Sequence, residues 1–127
     1  MGVGRKREML CLCRAKLYEF ELISRAEEKI GERCEDMAIL LGECALKSLR
    51  DYRALLRIIC REVRVKDARP RSERIGDIIE EIIDCKQSWI SSAQSYAFEI
   101  AGCEKDLLLR ICESEAEEIY KLRRCLT

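Results

Sequence analysis

The stretch MAILLGECALKSLRDYRALLRIICREV, residues 37–63, decides the fold. Met37, Leu41, Cys44, Ser48, Tyr52, Leu55, Ile59 and Val63 follow one another in steps of three and four. A helix turns once every 3.6 residues, so this spacing gathers them on one face. Only Ser48 breaks the apolar character of that face.

Three further segments show the same period on either side. The first helix is expected over about 8–30, with Leu10, Cys13, Leu17, Phe20, Ile23 and Ile30 on its stripe and Gly31 ending it. The second spans about 32–63. Residues 63–73 then lose the pattern: Pro70 disfavours helix at Arg69, and Ser72 is placed to cap the next helix. The third runs over 72–101, with Ile75, Ile79, Ile82, Ile83, Ile90, Ala93, Ala97 and Ile100 inward. Gly102 marks a tight hairpin, and the fourth, 103–126, turns Leu108, Ile111, Cys112, Ile119, Leu122 and Leu126 inward.

Four such stripes bury one another in an all-α, antiparallel four-helix bundle, which makes residues 1–127 a single domain. A second helix reaching Val63 would be about 48 Å long. The link from Arg64 to Arg71 spans at most about 28 Å. Up-down-up-down connectivity is therefore favoured, unless helix 2 ends early and residues 58–77 form a long crossover.

Charged residues make up 38% of the chain and hydrophobic ones 48%, which suits a water-soluble helical protein. No apolar run approaches the roughly 20 residues of a membrane span. The basic start, Met1 to Arg7, is followed by no long apolar stretch or cleavage site, so a cytoplasmic location is expected. Residues 1–74 carry 18 basic and 13 acidic side chains, and residues 75–127 carry 6 and 11. Halves of opposite sign can attract within one fold or between subunits.

The chain holds nine cysteines and no histidine, which removes the commonest metal ligand and general base. Asparagine is absent and glutamine occurs only as Gln87 and Gln94, a composition that fits a thermophile whose cytosolic proteins keep disulfides. In the favoured connectivity Cys34 meets Cys103 at one end, while Cys11 or Cys13 approaches Cys125 at the other. With a crossover, Cys34 approaches Cys125, and Cys11 or Cys13 approaches Cys103. There is no Cys-x-x-Cys. Cys13, Cys44 and Cys112 fall on core stripes, where burial makes thiols inert.

Met37 to Asp51 resembles the second helix of the rubrerythrin branch of ferritin-like proteins, and Ala116-Glu-Glu-Ile-Tyr120 resembles its fourth. The resemblance implies a carboxylate centre for iron or manganese. Carried over, its Glu-x-x-His pairs fall on Ser48-x-x-Asp51 and Glu117-x-x-Tyr120. Its lone glutamates fall on Asp84 and near Ala15, with Glu19 one turn away. Both histidines and the second-helix glutamate are missing. The carboxylates left for a metal are Glu19, Asp51, Asp84, Glu115 and Glu117, and Asp84 shares a polar face with Asp77, Glu80, Glu81 and Gln87.

A different pair emerges from periodicity alone. Lys86 lies on the inward stripe of helix 3 and Glu115 interrupts that of helix 4, at similar depth across the Gly102 hairpin. They are expected to form a buried ion pair, read as a structural bridge with heads reaching toward solvent. In the functional reading, the ammonium takes the place where related bundles hold a cation.

For nucleic acid, the candidate is Arg61, Arg64, Lys66, Arg69, Arg71 and Arg74. Glu62, Asp67 and Glu73 reduce its charge and no aromatic is interleaved, so a solvated, salt-bridged loop is expected. Trp89, Tyr96 and Phe98 are expected to pack between helices. Phosphate-binding loops and Ser-His-Asp sets are absent. The function expected is that of a non-catalytic bundle acting through self-assembly or a protein partner. The alternatives are a divergent carboxylate metal or redox protein and a small subunit of a nucleic-acid complex.

Overall fold

The computed structural model describes residues 3–126 and holds four helices: α1 (Val3–Ile30), α2 (Glu35–Ile59), α3 (Ile75–Ala97) and α4 (Cys103–Arg124). The expected all-α four-helix bundle is the fold that forms. α1 pairs with α2, α3 pairs with α4, and the two hairpins meet along α1 and α3.

Charge placement suits the helix ends. Glu35 and Asp36 open α2, Glu104 and Asp106 open α4, and Lys121, Arg123 and Arg124 close α4. Each sits where the local backbone dipole attracts its sign. Gly102 precedes α4 with φ 83, a conformation that disfavours any side chain bearing a Cβ.

α2 stops at Ile59 because Cys60 turns left-handed, with φ 54 and ψ 39, and its N–H bonds the Leu56 carbonyl at 2.8 Å. Val63 continues the spacing of the 37–63 stripe but lies outside the helix, as a buried anchor of the link together with Ala68. Ending the helix here changes the topology. The link becomes residues 60–74, which reach about 50 Å, more than the roughly 37 Å length of α2.

That link returns along the bundle. Arg25 pairs with Asp67 at 3.3 Å, Lys29 donates to the Ser72 carbonyl at 2.9 Å, and Arg33 donates to the Glu73 carbonyl at 2.8 Å. The start of α3 therefore lies beside the end of α1, and α2 and α3 run parallel. Up-down-up-down order, which a second helix reaching Val63 would favour, gives way to the single long crossover. Ser72 acts before the α3 cap rather than at it: its hydroxyl accepts the Arg74 N–H at 3.2 Å and donates to Asp77 at 3.3 Å.

One continuous core draws on all four helices, with Leu22, Ile23, Leu41, Leu55, Ile78, Ile79, Ile82, Leu108 and Leu122 among its closed-off side chains. The inward stripe of α1 is Met9, Leu12, Cys13, Lys16, Glu19, Ile23, Ala26 and Ile30, while Leu10, Leu17 and Phe20 flank it half-buried. Trp89 and Tyr96 are interior, and Phe98 projects from the end of α3. Among the described residues no helix is long and apolar enough to cross a membrane.

Candidate functional site

Each inward stripe carries charged or polar side chains near its middle, and the bundle brings them together. α1 supplies Lys16 and Glu19, α2 supplies Lys47, Ser48 and Asp51, α3 supplies Lys86, and α4 supplies Glu115 and Glu118. Helical spacing aligns each set: Lys16 and Glu19 are three apart, as are Glu115 and Glu118, and Lys47 and Asp51 are four apart.

Lys86 is the hub. Its ammonium lies 3.3 Å from Glu19 Oε2, 3.3 Å from each oxygen of Glu115 and 2.7 Å from Glu118 Oε1. An ammonium has three protons, and here three carboxylates face them. Lys16 lies 3.3 and 3.2 Å from the two Glu19 oxygens, 3.1 Å from Glu115 Oε1 and 4.0 Å from the centroid of the Trp89 ring. The Trp89 N–H donates to the Leu12 carbonyl at 2.9 Å, which holds the ring against α1. Ser48 donates its hydroxyl to Glu19 Oε2. Lys47 reaches in from the side, 2.6 Å from Asp51 and 3.3 Å from Glu115.

The centre is closed at its heart and open at one rim. The side chains of Lys16, Glu19, Lys86 and Glu115 are 0% exposed, Glu118 is 10%, Asp51 16% and Lys47 21%. Solvent therefore meets the network between α2 and α4. The Lys86–Glu115 bridge exists, but neither head reaches solvent, because the ends of both side chains are enclosed by partners from other helices.

Mutual attraction fixes the charge states. Burial works against the Lys86 ammonium, but Glu19, Glu115 and Glu118 outweigh it and hold its pKa above the usual lysine range. For Glu115, burial pushes the pKa up, and the stronger combined pull of Lys16, Lys86 and Lys47 leaves it below the usual carboxylate range. Lys47 is likewise raised: burial opposes its charge, and Glu115, Asp51 and Glu118 prevail.

Of the carboxylates considered for a metal, Glu19 and Glu115 lie at the heart and Asp51 at the rim. Asp84 and Glu117 do not join them. Asp84 is exposed and lines the groove between α1 and α3 with Cys11, Tyr18 and Arg71. Glu117 is exposed because Glu115, Glu118 and Leu122 take the inward register of α4, and Tyr120 turns outward with it. The inner carboxylates Glu19, Glu115 and Glu118 are engaged by ammonium groups.

All nine cysteines are free thiols, so none of the bridges expected among Cys34, Cys103, Cys11, Cys13 and Cys125 is present. Cys13 is sealed in the core, whereas Cys11, Cys103 and Cys125 face solvent. Burial pushes the Cys13 thiol up to about 11. Burial chiefly also lifts Cys44 and Cys85 to about 12, and such thiols hold their protons at neutral pH.

The basic link is spread along the bundle. Arg64 pairs with Glu62 at 3.0 Å and Arg69 with Asp67 at 2.8 Å. Arg71 donates its backbone N–H to Glu81 at 3.0 Å. Arg61, Lys66 and Arg74 are exposed along the same extended segment.

Comparison with protein-family models, curated proteins and solved structures finds no match to this chain.

Proposed function

We propose that this is a non-catalytic helical-bundle protein that acts through assembly, on a ferritin-like frame whose mid-bundle centre is occupied by its own lysines. One observation carries the reading. The buried polar centre is taken up by ion pairs within the chain, which leaves no inner carboxylate to hold a metal or to serve a reaction. Two features support the ferritin-like part: the single long crossover, and carboxylates projecting at mid-bundle from several helices. The charge halves also meet here, since Lys16 and Lys47 of the basic half face Glu115 of the acidic half.

Elemental analysis of protein purified without chelator tests the reading. The expected result is no stoichiometric iron or manganese. Stoichiometric metal, lost on Glu19→Gln or Glu115→Gln, would overturn it in favour of the carboxylate metal protein.

A further inference from the structure

The face of α2 turned away from the core has an order of its own. Asp36, Ile39, Glu43, Leu46, Arg50, Arg53 and Arg57 succeed one another in alternating steps of three and four, the seam spacing of a coiled coil. All seven are exposed, Ile39 at 56% and Leu46 at 58%. Among the described residues, the five charged side chains make no hydrogen bond or ion pair.

The stripe is acidic toward its N-terminal end, apolar near its middle and basic toward its C-terminal end. The helix dipole favours this polarity only within the first and last turns. It does not account for Glu43, Arg50 and Arg53, which lie deep inside α2. A second copy of the same helix does.

We propose that α2 pairs with α2 of a second copy, antiparallel, about a two-fold axis at Leu46. This inference rests on the assembly reading and names the partner. Laid head to tail, the stripe is self-complementary. Leu46 meets Leu46 at the axis, Glu43 meets Arg50 twice, and Asp36 meets Arg57 twice. Ile39 packs on the aliphatic stem of Arg53. A parallel pairing would set Asp36, Glu43, Arg50 and Arg57 each against its own kind, so charge selects the direction as well as the partner. The seam covers about 32 Å of helix. A seam of one helix per copy is small for a specific interface, so the dimer should dissociate on dilution.

Sedimentation over about 1–500 µM protein tests the pairing, with thermal melts confirming that each variant is folded. The wild-type chain of 14.8 kDa should rise to twice that mass with concentration, and less readily in high salt. Glu43→Arg and Arg50→Glu should each weaken dimerisation about tenfold or more by opposing like charges. The double variant carrying both should recover it, which no loss of fold or general charge effect would produce. An oligomer indifferent to the single swaps, or a double swap without recovery, would overturn the α2 seam and leave the assembly reading standing. A monomer at every concentration would overturn the seam and self-assembly together.

Discussion

Lys86→Met should destabilise the protein by about 3–5 kcal/mol, on the order of 10–20 °C in Tm for a chain of this size. Methionine fills similar space, so little of the loss is a cavity. The loss comes from the partners: Glu19, Glu115 and Glu118 stay inside with one ammonium fewer. A carboxylate without its counter-charge at 0% exposure must bind a proton, draw in water or push the helices apart. Replacing Lys16, Glu19, Lys86 and Glu115 together by apolar side chains of similar volume should cost less, because the fully enclosed charges leave together and Glu118, 10% exposed, keeps Lys47 at 3.8 Å. Urea denaturation of both variants checks the contrast. Equal losses in the two would mean that shape, not charge, governs the centre.

Stability should form a plateau between about pH 4.5 and 9 and fall outside it on both sides. Glu115 binds its proton more weakly in the folded chain than at its ordinary value of 4.5. Its contribution is therefore complete above that value and is lost as pH falls toward the lower folded pKa. Lys86 holds its proton more tightly than at its ordinary 10.5. Its contribution is complete below that value and is lost as pH rises toward the higher folded pKa. Lys47, raised for the same reason, steepens the alkaline side. The thiols of Cys13, Cys44 and Cys85 begin it, because they keep their protons in the folded chain and lose them near 9 in the unfolded one. Thermal melts across pH, repeated on Lys86→Met, check the assignment: the variant should lose the part of the fall-off that sets in above about pH 10.5 and keep the part that the thiols begin near 9. A wild-type Tm that changes steadily across about pH 5–8 would contradict it.

Helix number and core were legible because apolar spacing reports burial directly. Ile79, Ile82 and Ile83 could face nowhere else once α3 was recognised. Connectivity was not legible, because it turned on one residue. Ile59 to Val63 is an ordinary helical step, and nothing in the side chain of Cys60 announces a left-handed turn. Val63 is apolar for its burial under the link, and spacing alone assigns it to the helix.

The site was half legible. Lys86 and Glu115 stood out because their stripes are otherwise strongly apolar. Lys16 did not, since a stripe drawn only through apolar residues runs along Leu10 and Leu17, to one side, and Glu19 was reached through the family resemblance rather than from its stripe. Met9, Leu12, Lys16, Glu19, Ile23, Ala26 and Ile30 keep the same three-and-four rhythm with two charges in the middle. The signal was the coincidence: all four stripes turn polar near the centre of the bundle, with compensating signs. Glu118 was missed by one place, because the family pattern laid on α4 selected Glu117 while the inward register selects its neighbour.

The ammonium groups of Lys16 and Lys86 are the cations of the mid-bundle centre. The most direct measurement is a ¹H–¹⁵N correlation tuned to lysine side-chain ammonium groups, recorded near neutral pH. Solvated ammonium protons exchange rapidly, whereas groups shut away from water and held by two or three carboxylates exchange slowly. Two persistent ammonium signals should appear, one vanishing in Lys16→Met and the other in Lys86→Met. Spectra without protected ammonium signals, or with either nitrogen at the shift of a neutral amine, would contradict the account.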